Sequence, residues 1–348
     1  MWTPKKIEEL FYMDLHELGM KANTMNDNIV TFVINRHINY TNICVSKCPL
    51  CAFHRNPHDE DAYLMTVEDV VKKAEEAVRL GATELHIVGS HNPEVTIEYF
   101  ESMFSEIKRK FPNVIIKALT ATEIHFLAKK EKMSIREVLS RLKDAGLQAM
   151  PGGGAEILID DIRRKICPNK AKADEWLKVM EIAHSLGIKS NATMLFGHIE
   201  SYRHRAIHLY KLWKLQEKTK GFLAFIPLVF HPKNTKLEMV VKEKTDPVDI
   251  LKTIAVSRIV LSNFRSIRAY WVMLGERLAQ VALNYGANDI DGTLIEERIT
   301  HSAGAETPVY LPIEKILKII KGAGKIPAER DTFYNILKIY ADKTHKRS

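Results

Sequence analysis

Four cysteines are all that 348 residues contain, and three of them fall close together at Cys44, Cys48 and Cys51. So few thiols exclude a disulfide-built scaffold, and their clustering points to metal or redox chemistry in a reducing compartment. No apolar run approaches the roughly 20 residues that span a bilayer. The N-terminus, MWTPKKIEELFYMDL, carries acids and lacks the apolar stretch of a secretion signal, so a cytoplasmic protein with no membrane partner is expected. Internal repeats, low-complexity stretches and Pro/Gly-rich linkers are missing too. No GxGxxG or GxxxxGK[ST] follows the first strand-like segment, which removes support for a nucleotide-binding open sheet. The net charge is +8, but Lys and Arg are scattered, and the only clustered basic run is the tail KTHKRS. A nucleic-acid groove should show a basic stripe with interleaved aromatics, so no nucleic-acid partner is expected, whereas a small anionic substrate suits the balance.

What is present is a globular composition, 46% hydrophobic and 27% charged, long enough for one large barrel. Strand-like segments fall at 29–33, 85–88, 114–117, 148–150, 189–195, 223–227 and 268–272, with a weaker one at 289–293. Helical segments alternate with them. Thr66 and Gly81 bracket one helix, and Val67, Val70, Val71, Ala74, Ala77 and Val78 repeat at its period. Ser134 and Glu137 open another that stops near Gly146, and further helices are expected at 174–186 and 248–261. Strands alternating with helices imply βαβ units and a parallel sheet. The predicted fold class is α/β, a TIM-type (β/α) barrel over 28–303. A helical segment precedes it over 1–27 and a helical extension follows over 304–348, with Ile316, Ile319 and Ile320 on one face. In such barrels chemistry sits at the C-terminal ends of the strands.

The segment NYTNICVSKCPLCAF spaces its cysteines C-x3-C-x2-C. Three thiolates on one compact loop can bind three corners of an iron–sulfur cube and leave one iron open. A zinc site completed by His54 or His58 is the competing reading, and three small packed residues are the plain alternative.

This motif after a first strand resembles the radical S-adenosylmethionine (SAM) superfamily. The strings NRHINYTNIC, PGGGAEI, RRKICPNK, NATMLFGHIE, AFIPLVFHPKNT, AYWVMLGERLAQVALNYGANDIDGT and ERDTFYNIL extend the resemblance over nearly the whole chain. They look like the group of futalosine-route menaquinone enzymes and deazaflavin cofactor synthases, and within it the aminodeoxyfutalosine synthases. The sister dehypoxanthine futalosine cyclases typically show serine where this chain has Cys167, and differ around IPLVFHP and YWVMLG. Gly89–Ser90–His91 departs from a glycine pair usual in the family.

The resemblance implies a [4Fe-4S] cluster on Cys44, Cys48 and Cys51, SAM as co-substrate, an aromatic carboxylate substrate, and an electron donor such as a flavodoxin or ferredoxin. It implies addition of a 5′-deoxyadenosyl radical to 3-[(1-carboxyvinyl)oxy]benzoate, aryl migration and loss of the carboxyl carbon. A cofactor pocket would draw on Phe53, Gly89, Ser90, Gly153, Glu156, Gly197, Glu200 and Ile226. The glycines of PGGGAE free backbone amides for close approach, and Glu156 is placed for the SAM ammonium or ribose. Tyr40, Asn42, His91, His198 and Arg268 lie near strand ends or on following loops, where a buried carboxylate needs donors; they are the candidate catalytic set. A non-catalytic zinc protein and an RNA-binding module remain rivals from other classes.

Overall fold

The computed structural model describes residues 1–293 and 296–341. Two helices, Pro4–Leu10 and Leu15–Asn23, come first, capped by Thr3 and Asp14. Strand β1 (Ile29–Val33) runs through a single break at Ile34 into β2 (Asn35–Ile38). Then follow β3 (Glu84–Ile87), β4 (Ile115–Ala118), β5 (Ala149–Met150), β6 (Lys189–Phe196), β7 (Phe222–Val229) and β8 (Ser266–Ile267). β2 to β8 pair in chain order, all parallel, as one seven-stranded sheet. A parallel bridge from Arg268 to Asp289 carries the order on to β9 (Asp289–Gly292). β9 in turn pairs with β1, the strand that feeds β2. The sheet thus curls round on itself as a TIM-like α/β architecture.

Helices return the chain between parallel strands, as this geometry demands. Val67–Arg79 starts at a reciprocal Thr66/Asp69 capping box and buries Val70, Val71, Ala74 and Ala77. Ile135–Ala145 is capped by Ser134 and ends at Gly146, whose φ of +124° an L side chain would resist. Ala173–Ser185 and Pro247–Val260 lie within a residue of the expected spans. No helix among the described residues is long and apolar enough to cross a membrane.

Two expectations need correcting. The strand predicted at 268–272 lies upstream at Ser266–Ile267, and Trp271–Leu274 is a short helical turn. After residue 304 the helix Ile313–Gly322 does bury Ile316, Ile319 and Ile320. The chain then adds two strands, β10 (Ile326–Arg330) and β11 (Ile336–Ile339). β10 pairs in parallel with β1, so the C-terminal segment is sheet as well as helix. β2 also escaped the pattern, because Asn-Arg-His carries none of the β-branched residues that mark a strand.

Buried histidines give the fold a defined response to acid. His208 accepts the Leu158 N–H at Nδ1 (3.0 Å) and donates from Nε2 to the Thr193 carbonyl (3.0 Å), an arrangement only the neutral ring can make. Burial pulls it down to about 3, and lowers His184, half-buried on the helix Ala173–Ser185 and hydrogen-bonded to Ser190 of β6 (2.8 Å), to about 4. A depressed histidine contributes stability that is complete above its unfolded value near 6.5 and is lost as pH falls toward the folded value. Each ring therefore costs up to about 1.4 kcal/mol per pH unit below 6.5. Urea midpoints measured at pH 7 and pH 5 should show a clearly less stable protein at pH 5.

Candidate active site

The cysteine loop begins six residues beyond β2 and is held by its own backbone. Cys44 N donates to Arg55 O (3.0 Å), Val45 N to His91 O (3.0 Å) and Cys51 N to Cys48 O (3.0 Å). Lys47 takes a left-handed φ of +46° at the turn between Cys44 and Cys48. Arg55 ties the far side, reaching the Ala52 and His54 carbonyls (3.0 and 2.9 Å) and Asp61 (2.7 Å). The RRKICPNK segment buttresses the loop from below, with Asn169 Nδ2 on Ser46 O (3.1 Å) and Leu50 N on Ile166 O (3.3 Å). Cys167 within that segment is 1% exposed and lies outside the cavity, and burial pushes its thiol up to about 11.

Cys44, Cys48 and Cys51 are free thiols that line one cavity of about 280 Å³ inside the barrel. Among the described residues no three or more His, Cys, Asp or Glu side chains converge where a single metal ion would sit. Three thiols on one loop lining one cavity, with His54 committed to the loop backbone, suit three corners of a cluster better than a tetrahedral zinc, which needs a fourth ligand beside them. His54 turns its Nδ1 to the Cys51 carbonyl (2.9 Å), where it supports the loop. The residues present therefore fit a three-thiolate cluster.

The cavity wall next to the thiols is glycine and carboxylate. Gly89 and Ser90 follow β3, and Gly152–Gly154 follow β5. A Cβ on Gly152 would lie 2.6 Å from the backbone of Ala192, so this glycine is what lets β5 and β6 approach. Gly152→Ala is expected to destabilise by about 1–3 kcal/mol through a forced backbone shift, and to weaken binding in the cavity; thermal unfolding checks the first and ligand titration the second. Glu156 stands at a left-handed φ of +44° and pairs with Lys170 (2.7 Å). Burial opposes the Lys170 ammonium, but the Glu156 carboxylate keeps it charged. His91, stacked on Phe126 at 4.8 Å, takes a 2.6 Å hydrogen bond with Ser46 Oγ, and burial lowers it to about 3. Phe53, Gly153 and Ile226 also line the cavity, as does Arg268.

Five of the expected site residues stand elsewhere. Tyr40 is packed beneath Gly89 and donates to Glu123 Oε1 (2.9 Å), so its hydroxyl is committed under the wall. Asn42 clamps the cysteine loop, donating to Asp61 O (2.8 Å) and accepting from Tyr63 N (2.8 Å). Gly197, His198 and Glu200 line a separate surface cleft, because β6 carries its last residues past the cavity. There Glu200 accepts from Gly197 N (2.7 Å) and His198 N (2.9 Å) and pairs with Arg205 (2.8 Å). Burial would raise its carboxyl, but these partners and His198 hold it far below the usual range. Its work is to order the FGHIE loop. Arg268 does reach the cavity, but it is already paired with Asp289 (2.8 Å) and Asp291 (3.1 Å).

Other lining residues were not singled out by sequence. Glu123 receives Gly89 N (3.0 Å) and Thr120 N (2.7 Å) and so holds the glycine edge in place. Its only signal was an N-terminal capping position, which reads as helix structure. Lys170, Asp291, Glu297, His37 and His86 likewise face the cavity.

Comparison with known proteins agrees with this geometry. Residues 38–210 match the family described as the Radical SAM superfamily, and residues 219–343 match the CofH/MqnC C-terminal region. The aminodeoxyfutalosine synthase of Thermus thermophilus is 45% identical over 89% of this chain and 84% of its own. The 5-amino-6-(D-ribitylamino)uracil--L-tyrosine 4-hydroxyphenyl transferase of Methanocaldococcus jannaschii is 44% identical, over 89% and 88%. The cyclic dehypoxanthine futalosine synthase of Halalkalibacterium halodurans is 38% identical, over 95% and 90%. Methylornithine synthase (PylB) shares the fold at a TM-score of 0.74 and 17% identity, with 94% of each chain covered. From the thiol loop, the barrel cavity and these likenesses over most of each chain, the chain belongs to the radical SAM superfamily, among the enzymes that carry the CofH/MqnC C-terminal region.

Proposed function

We propose that this enzyme joins the 5′-deoxyadenosyl group of SAM to 3-[(1-carboxyvinyl)oxy]benzoate, as an aminodeoxyfutalosine synthase. The observation that carries the reading is the 45% identity to the Thermus enzyme of that name, because it spans the barrel and the C-terminal region alike. In the proposed reaction the sulfur–C5′ bond of SAM breaks with one added electron and releases methionine, C5′ bonds to the vinyl carbon, the aryl group migrates, and the carboxyl carbon leaves as CO2 (bicarbonate once hydrated) as that one electron is given back, leaving 6-amino-6-deoxyfutalosine.

A cluster on Cys44, Cys48 and Cys51 would supply the electron that cleaves SAM to methionine and the reactive adenosyl group. The chain's own residues do the rest. The Gly152–Gly154 edge, with the Glu156–Lys170 pair beside it, offers amides and a matched charge pair to a zwitterionic amino acid end. Leu195, Ile226 and Leu228 from β6 and β7, with Phe53 and Met273, make the wall largely apolar, which keeps water from a reactive carbon. A rigid barrel holds the vinyl carbon at near-attack distance, on the order of 3–3.5 Å. A flavodoxin or ferredoxin is the proposed electron donor.

The 44% identity to the Methanocaldococcus enzyme favours a second reading, in which tyrosine and 5-amino-6-(D-ribitylamino)uracil are the substrates. Anaerobic turnover with SAM and each substrate set, read by mass spectrometry, separates the two. An adenosyl adduct of the vinyl ether supports the first reading. Free 5′-deoxyadenosine alone from the vinyl ether, with coupled product from the uracil, replaces it by the second.

A further inference from the structure

In the register of the barrel sheet, His37 on β2 lies beside His86 on β3, and His86 beside Lys117 on β4. Strand alternation turns all three to the interior, in a row one residue below the strand ends and therefore beneath the cysteine loop. The two imidazoles stack, with centroids 4.1 Å apart and planes 23° from parallel, and both line the cavity. His37 is 6% exposed, and its Nε2 has no hydrogen-bond partner among the described residues.

A buried, unpartnered ring nitrogen at a cavity wall is costly unless something comes to meet it. The surrounding charges say what that is. Lys117 is held by Glu84, Arg268 by Asp289 and Asp291, and Arg330 by Asp289 (2.6 Å). Glu297 is held by His301 (3.0 Å). Each of these cations already faces a carboxylate, so the stacked pair, with the unpartnered Nε2 of His37, gives an entering carboxylate a donor not already spent on an acid; the Nε2 of His91 on the same cavity wall is also unpartnered. Burial keeps His37 neutral against the pull of Asp291 and Glu297, and burial with His37, Lys117 and Arg268 does the same to His86. A carboxylate against the stack supplies the missing counter-charge and favours uptake of a proton.

We propose that His37 and His86 are specificity-determining residues that together grip one carboxylate of the substrate below the cysteine loop. The inference rests on the reading of the substrate as an aromatic dicarboxylate. The geometry also answers why two imidazoles stand where one arginine would serve. An arginine would add a permanent charge to a set that already balances, and it would be buried unpaired whenever the cavity held no substrate. A neutral pair carries no such cost and becomes charged only with its ligand.

The test uses the reconstituted holoenzyme and four variants, His37→Leu, His86→Leu, His37→Gln and His86→Gln. Iron and sulfide content and SAM affinity report folding, and both should match the wild type. The leucine variants should raise KM for the vinyl ether by about tenfold or more, as loss of a charge-assisted hydrogen bond does, while SAM still yields free 5′-deoxyadenosine. The glutamine variants, which keep a donor near the Nε2 position, should stay within about threefold of the wild type. Binding to the wild type, followed by calorimetry in two buffers of different ionisation enthalpy, should take up protons, and in the leucine variants the uptake should fall. Replacing one substrate carboxylate by a carboxamide should weaken binding to the wild type and make little further difference to the leucine variants. Unchanged KM and unchanged carboxamide discrimination in both leucine variants would overturn the proposal. A wild type that gives no adduct from the vinyl ether overturns instead the substrate assignment beneath it.

Discussion

Cys48→Ala is expected to abolish cluster retention and all SAM cleavage, whereas Cys167→Ser should leave both intact. The contrast follows from position. Cys48 lies on the cavity wall with Cys44 and Cys51, and its backbone carbonyl accepts from Cys51, so the three are one rigid turn. Burial pushes the bare Cys48 thiol up to about 12, so at neutral pH the proton leaves only when iron takes its place. Cluster assembly should accordingly release acid and weaken as pH falls. With two thiols left, a cube would have two open irons and no third anchor. Cys167 is buried on the RRKICPNK segment behind the loop, outside the cavity. A serine there buries a hydroxyl in an apolar site and should cost about 1–3 kcal/mol of stability. Anaerobic reconstitution with iron and sulfide, followed by the visible charge-transfer band, metal analysis and 5′-deoxyadenosine formation, checks both halves. A Cys48→Ala protein that keeps the band and cleaves SAM would remove this loop from the chemistry.

The cysteine loop was legible because its signal is local: three thiols at fixed spacing on one turn. The barrel was legible because apolar strands and capped helices alternate over most of the chain. The signals that failed were those that depend on depth. Tyr40 and Asn42 flank the loop in sequence, yet one points under Gly89 and the other into the Asp61–Tyr63 turn, and only register decides that. FGHIE has the composition of a ligand loop, but β6 is eight residues long and delivers it past the cavity. His37 and His86 lie 49 positions apart and meet only through the β2–β3 pairing. Strand β10 was hidden for a related reason. IPAER is short, carries a proline and ends on charge, and it becomes a strand because β1 and the buried acid Asp289 are waiting for it.

That last contact carries the second large effect. Arg330 is fully buried, donates to Asp289 at 2.6 Å and to the Asp331 carbonyl at 3.1 Å, and lies 4.0 Å over the Tyr334 ring. Asp289 is shared with Arg268 (2.8 Å) and with Thr31 Oγ1 (2.6 Å), so one carboxylate links β1, β9, β10 and the cavity floor. Replacing Arg330 by methionine keeps much of the volume and removes one of three cations that balance Asp289, Asp291 and Glu84. The buried acid left in excess should cost about 3–5 kcal/mol. Burial raises the Asp289 carboxyl, but Arg330 and Arg268 outweigh it and hold it at about 2. A lowered acid contributes stability that is complete above its unfolded value near 3.8 and is lost as pH falls toward 2. Without Arg330 the folded value rises, so acid unfolding should begin at a higher pH than in the wild type. Asp289→Asn in the same chain restores the balance between Arg268, Lys117, Asp291 and Glu84. The double variant should therefore be more stable than the two single losses predict when added, by about 0.5–3 kcal/mol. Urea unfolding of the four proteins gives that coupling directly. Additive losses, or an Arg330→Met protein as stable as the wild type, would mean that β10 is held by its backbone pairing with β1 and that the charges add nothing.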